Sequence, residues 1–278
     1  MYSQSTANFQ REAGATGDRF FKFIGFGQYG ETVFKRESLA ADAGFAPLPG
    51  MESHGYASYP VIDGRPMSSD DVSEPVLRRI ADYCAFRRES FRAESASVEG
   101  LQQMAEHNLA QLKLEMPVRL NYDQPVVADG RMAPHEWLLT SSGQMLKTDS
   151  GSHGDDHFFP GVTDIAWDLA GAMVEWKMDH QSAETLLEMY HKASGDDAAP
   201  RVSEFVKAYT VFRCAYGLMA ANAMQGTEEQ ARLEQAAHGY RILLESVDKK
   251  VQGVPHPSRS LRRVGRLGNS QNVSFAPN

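Results

Sequence analysis

DGRMAPHEWLLTSSGQMLKTD, residues 129–149, passes from a polar loop into two short apolar runs. HEWLLT and QMLKTD flank Ser141-Ser142-Gly143, and such a turn between apolar runs predicts a β-hairpin. The loop ahead of it carries Asp129, Arg131, His135 and Glu136 around Pro134, and the second strand ends on Asp149.

Downstream, the chain reads as helix. DIAWDLAGAMVEWKM, QSAETLLEMYHKAS, PRVSEFVKAYTVFRCAYGLMAANAM and TEEQARLEQAAHGYRILLESVDKK follow one another with only short breaks. Trp167 and Trp176 fall at helix spacing and are expected in the core, and Asp164, at a helix start, is expected to act as an N-cap. Upstream, VRLNY is a further short apolar run, preceded by the helix VEGLQQMAEHNLAQLK. Before that lies DDVSEPVLRRIADYCAFRRESF, whose Val76, Leu77, Ile80 and Tyr83 share one helical face.

The first third has a different character. ANFQREAG and RFFKFIGFG surround the turn AGATGD and predict a hairpin, ETVFKRESLAADAG predicts a helix stopped by Gly44, and HGYASYPVIDGRPM predicts one or two strands ending at Asp63-Gly64. The expected fold class is therefore α+β and two-lobed. A small antiparallel β-sheet N-lobe with one helix would span residues 1–67, and a larger, mainly helical C-lobe containing the hairpin residues 68–250. Residues 251–278, rich in Pro, Gly, Ser and Arg, read as a basic disordered tail.

A chain of 278 residues with 42% hydrophobic and 23% charged side chains is ordinary for a globular protein. It has neither a membrane-length apolar run nor the design of a signal peptide, so a cytoplasmic location is expected, with Cys84 and Cys214 as buried free thiols. The net charge of −8 combines +6 from residue 249 onward with −14 over residues 1 to 248. An acidic body does not suit nucleic acid, whereas the basic tail could dock a protein partner.

In their order and spacing these segments resemble the protein-kinase-like fold, most closely the aminoglycoside and choline phosphotransferase family. Lys22 in RFFKFIG precedes Arg36-Glu37 in FKRESLAADAGFAPLP, as a strand lysine precedes an Arg-Glu helix and a Gly-x-x-x-Pro exit in that family. The resemblance implies that Lys22 holds the phosphates of ATP, that Glu37 orients it, and that the backbone from Tyr59 to Ile62, Val61 included, is the adenine-binding hinge. The family's loop, His-Gly-Asp-Leu-His-Pro-Gly-Asn-Ile-Leu, aligns on Pro134 so that Gly130, Met132 and Leu138 match. It also implies that Asp149 is a metal ligand and that TDIAWDLAGA carries the family's Trp-Asp-Leu-Ala helix start, with Asp168 receiving backbone N–H groups of the loop.

Three positions depart from that pattern. Asp129 stands where the family has His, Arg131 where it has the general-base Asp, and Glu136 where it has the metal-binding Asn. A guanidinium stays protonated, so Arg131 cannot accept a proton, and Asp129 or His135 is left as replacement base. Glu136 still offers oxygen, and with Asp149 it could hold Mg²⁺. Only 21 residues precede Lys22, too few for the family's phosphate-covering glycine loop between two strands, so an incomplete N-lobe is expected, the chain lacking the first strand or beginning within a longer one.

His153-Gly154-Asp155 spells the family's catalytic tripeptide, yet the fifth residue after Asp155 is Pro160, and 13 positions from Asp155 to Asp168 leave no room for loop, hairpin and metal strand. HGDDHFFPG therefore reads as an insertion near the metal site. Its His153, Asp155, Asp156 and His157, with Lys147, form a candidate substrate loop. The expected function is an atypical ATP- and Mg²⁺-dependent phosphotransferase acting on a small molecule. The alternatives are a catalytically inactive kinase-fold binding or regulatory protein, favoured by Arg131 and the missing glycine loop, and a hydrolytic metal site built from the 153–157 cluster.

Overall fold

Residues 9–14, 17–94, 98–151 and 161–252 are described by the structure, a computed structural model. Phe9–Gly14 (β1) and Gly17–Phe23 (β2) form the expected hairpin, with Gly14 opposite Gly17. Gly27–Asp42 (α1) follows, starting earlier than its pattern predicts, and Gly50–Met51 (β3) and Tyr56–Pro60 (β4) complete an antiparallel sheet of order β1-β2-β4-β3. Among the described residues, one strand precedes the lysine strand. In the β2–β4 register Phe20 lies opposite Tyr59 and Lys22 opposite Ala57, so these four side chains share a face. That face meets α1 in a small core of Ile24, Val33 and Ala57, flanked by Phe34 and Tyr59.

HGYASYPVIDGRPM divides between two sheets. β4 belongs to the sheet above, whereas Gly64–Pro66 (β5) pairs with Trp137–Thr140 (β7), which pairs in turn with Met145–Lys147 (β8). The hairpin predicted over 135–149 is therefore formed, and residues 61–63 cross between the lobes. VRLNY forms no strand; the short pair nearby is Pro125–Val126 (β6) with Thr163–Asp164 (β9).

The larger lobe is built from Glu74–Ser90 (α2), Val98–Leu112 (α3), Ala166–Glu175 (α4), His180–Ser194 (α5), Ala199–Ala223 (α6) and Glu228–Gln252 (α7). Its core takes in Trp137, Trp167 and Trp176, each at most 1% exposed, together with Cys84 and Cys214. Phe45, just past α1, inserts into this core against Tyr83 at 5.3 Å, and Lys147 N donates to Phe45 O at 2.7 Å, which ties the small lobe to the hairpin. None of the described helices is long and apolar enough to cross a membrane.

Asp164 is not the N-cap of α4; Ile165 occupies that position. The Asp164 carboxylate instead accepts the backbone N–H groups of Asp123, Gln124 and Ala166, each at 2.8 Å, and Arg201 Nε at 3.0 Å. A buried carboxylate must be compensated, and four donors from three parts of the chain make Asp164 a staple between the loop before β6 and α6.

Candidate active site

Between the lobes, Lys22 Nζ on β2 donates to Asp149 Oδ1 just past β8, joining residues 127 positions apart. Glu37 stands beside them on α1, only 3% exposed, and accepts the Tyr59 hydroxyl on Oε2. Burial pulls the Lys22 ammonium toward deprotonation, but Asp149 first and Glu37 next outweigh it, so its pKa is raised and the charge is kept. Burial and then Glu37 push the Tyr59 phenol far up, so it remains a donor. The β2–β4 register explains the trio, since it points Lys22 and Tyr59 at the same face of α1.

Asp149 sits at φ 56°, a left-handed conformation uncommon outside glycine and least so for Asn and Asp. Strain of that kind persists where neighbours hold it, and here the two following residues are clamped. Ser150 O accepts Arg87 Nη1 at 2.8 Å, and Gly151 lies against α1. A Cβ on Gly151 would meet Glu37 Cγ at 2.7 Å and Val33 Cγ1 at 2.9 Å. Gly151→Ala is therefore expected to push α1 off the Asp149 segment and to cost about 1–3 kcal/mol, read as a lower denaturation midpoint at unchanged m-value.

The loop of residues 128–136 is held from below. Asp168 Oδ2 accepts Asp129 N at 2.8 Å and its Oδ1 accepts Gly130 N at 2.9 Å, the bonds the resemblance implied. Burial, opposed by Arg87, leaves the Asp168 carboxyl raised to about 6. Asp129 has no solvent exposure. It accepts the Tyr83 hydroxyl and Arg131 N and faces Lys147 Nζ at 3.5 Å and Arg87 Nη1 at 3.9 Å. A carboxylate so enclosed cannot reach a substrate proton, and this corrects its reading as a replacement base. Lys147 is corrected too: its side chain is fully buried, donating to Glu136 Oε2 at 3.0 Å and Thr148 O at 2.9 Å, and does not belong to a substrate loop.

Glu136 is 5% exposed, with Lys147 on one oxygen and Arg131 Nη1 3.5 Å from the other. It is therefore neutralised by two cations, whereas Asp149 pairs with Lys22 and its side chain is 34% exposed. Among the described residues no group of three or more His, Cys, Asp or Glu side chains is arranged to hold a metal ion. A nucleotide-bound Mg²⁺ uses one or two carboxylates plus phosphate oxygens, which Asp149 fits and Glu136 does not.

His135 lies on the turn Pro134–Glu136 and is half-buried. Burial lowers its pKa, against the charges of Glu136 and Glu175. Val61, by contrast, already donates its N–H to Asp18 O at 3.0 Å, so that donor is not open to a base. His153, Asp155, Asp156 and His157 lie outside the described residues, as does the chain from 253 onward. Arg87 is the site residue that the sequence reading missed. It is one helical turn past Tyr83 on the buried face of α2, a spacing that could have marked it.

No family model matches the chain, and no curated protein matches it. Solved structures do. A choline/ethanolamine kinase family protein from Mesorhizobium loti aligns at 17% identity and TM-score 0.56, over 89% of this chain and 92% of that one. An aminoglycoside phosphotransferase from Alicyclobacillus acidocaldarius aligns at 14% identity and TM-score 0.54, over 91% and 93%. A choline kinase from Streptococcus pneumoniae aligns at 15% identity and TM-score 0.52, over 87% and 92%. With a lysine-bearing sheet packed on a helical lobe across a shared ion pair, the chain has the two-lobed kinase-like fold of the aminoglycoside and choline phosphotransferases.

Proposed function

We propose that this protein transfers the γ-phosphoryl group of ATP to a hydroxyl or amine of a small molecule. The observation that carries this reading is the Lys22–Asp149 pair with Glu37 beside it, a cation and a carboxylate brought from separate lobes to one cleft. Phosphoryl transfer needs little covalent help from a protein; it needs the phosphates positioned and their charge neutralised. Lys22 holds phosphate oxygens, with Glu37 and Tyr59 fixing it from behind. Asp149 would hold Mg²⁺, which would supply charge neutralisation at the phosphates. Arg131, on the rim of the loop, adds a third positive group. The similar structures are named for choline, ethanolamine or aminoglycosides, which supports a small acceptor.

His135 is the general base. Its lowered pKa keeps the imidazole neutral at physiological pH, and a neutral imidazole accepts the acceptor's proton while an imidazolium cannot. Activity is therefore expected to fall on the acid side at a pH below the usual histidine value of about 6.5. His135→Asn is expected to lower kcat by about 10²–10⁴ and to remove that limb of the pH–rate profile. A variant that keeps the wild-type acid limb would show that another group is the base.

The direct test is melting with ATP, Mg²⁺, both or neither, alongside an assay of phosphate transfer to a panel of small alcohols and amines. Stabilisation by the pair beyond either alone is expected, growing with ligand concentration. Absence of any nucleotide response would overturn the proposal and favour a binding role without nucleotide.

A further inference from the structure

The Lys147 ammonium carries three N–H donors and meets three oxygens: Glu136 Oε2 at 3.0 Å, Thr148 O at 2.9 Å and Asp129 Oδ1 at 3.5 Å. Two carboxylates and a carbonyl are the oxygen set that a hard divalent cation takes. The remaining carboxylate oxygens are also engaged, Glu136 Oε1 by Arg131 and Asp129 Oδ2 by the Tyr83 hydroxyl. We propose that Lys147 is a tethered counter-ion filling a cation site that Glu136 and Asp129 would otherwise offer to a metal. Glu136 is then a ligand of lysine, which leaves Asp149, of these three carboxylates, to a metal ion.

The buried Lys147 side chain is already enclosed by Glu136, Thr148 O and Asp129, so this half of the site is preassembled without metal. Lys147 N also donates to Phe45 O, and Thr148 N to Glu136 O at 2.8 Å, so the same residues fix the backbone that leads into Asp149. Lys147 acts through these neighbours and touches neither ATP nor acceptor; it is a positioning residue.

The inference does not need ATP to bind, so its test uses the protein without nucleotide. Lys147→Ala strands two buried carboxylates and should lower the melting temperature by on the order of 10 °C. Millimolar Mn²⁺ should restore part of that loss in Lys147→Ala, beyond any shift it gives wild type through Asp149, and adding Glu136→Gln to the variant should abolish that excess. A purely packing role would be met by Lys147→Met, which should instead remain destabilised. Lack of Mn²⁺ rescue, or Lys147→Met as stable as wild type, would overturn the proposal. Should Lys147→Ala not fold, Mn²⁺ binding followed by electron paramagnetic resonance decides the matter in the folded protein. Binding unchanged by Glu136→Gln, or absent from both, agrees with lysine as the partner; binding weakened by Glu136→Gln makes Glu136 a metal ligand and refutes it.

Discussion

Asp149→Asn is expected to abolish the MgATP-dependent rise in melting temperature and to lower phosphate transfer by about 10³-fold or more. Asparagine keeps the shape of the side chain and, like aspartate, tolerates the φ of 56° found here, so the backbone has no reason to move. What is lost is charge: the carboxylate that would hold Mg²⁺ and that now neutralises Lys22. The pair is partly exposed at 19% and 34%, so its own worth in the free protein is at most about 1 kcal/mol, and melting without ligand should shift little. Asp149→Ala differs instructively. Alanine has no local hydrogen bond to offset the left-handed conformation, so it should be less stable than the asparagine variant by about 1 kcal/mol. Equal stabilisation of wild type and Asp149→Asn by MgATP would remove Asp149 from the nucleotide site.

Sequence made the frame legible where the signal was local. Ser141-Ser142-Gly143 between two apolar runs gave the hairpin, and helical spacing gave the large lobe, because turn chemistry and amphipathicity act over a few residues. The approach of Lys22 to Asp149 was legible only through the order of segments in a resemblance, since no local rule relates residues 127 apart. What stayed hidden was which charges are buried. Lys147 ends a strand covered on both faces, and its partners Asp129 and Glu136 come from an earlier loop; read singly, each looked like a solvent-facing reactive group. Asp164 carried the usual mark of a helix start, but tertiary donors from Asp123, Gln124 and Arg201 claimed its carboxylate. Burial inverted these assignments, because a charge taken out of water must find partners and is then no longer free to react.

Arg87 shows the same physics at its largest. It is fully buried on α2, donates to Ser150 O, Val127 O and the Tyr83 hydroxyl, lies 3.9 Å from Asp129 and 3.8 Å from Asp168, and stacks over Phe91 at 4.6 Å. Arg87→Met fills most of the volume but leaves two buried carboxylates and two carbonyls without their cation, an expected loss of about 3–5 kcal/mol in denaturant unfolding. Arg87→Lys should recover only part, since an ammonium cannot reach acceptors arranged around a planar fork. The loss should also depend on pH. Burial raises the Asp168 carboxyl to about 6 even though Arg87 holds it down, so removing Arg87 raises it further above its unfolded value of about 4. A carboxyl whose folded pKa is raised contributes stability that is present below the unfolded pKa and lost as pH climbs through the folded one. The Arg87→Met penalty should therefore be greatest near about pH 8 and shrink toward about pH 5, where Asp168 is folded in neutral form. Adding Asp168→Asn should flatten that dependence, because the amide has no charge to compensate. A penalty equal at both ends of this range would mean that Arg87 contributes packing and hydrogen bonds, and that the loop carboxylates are neutralised from elsewhere.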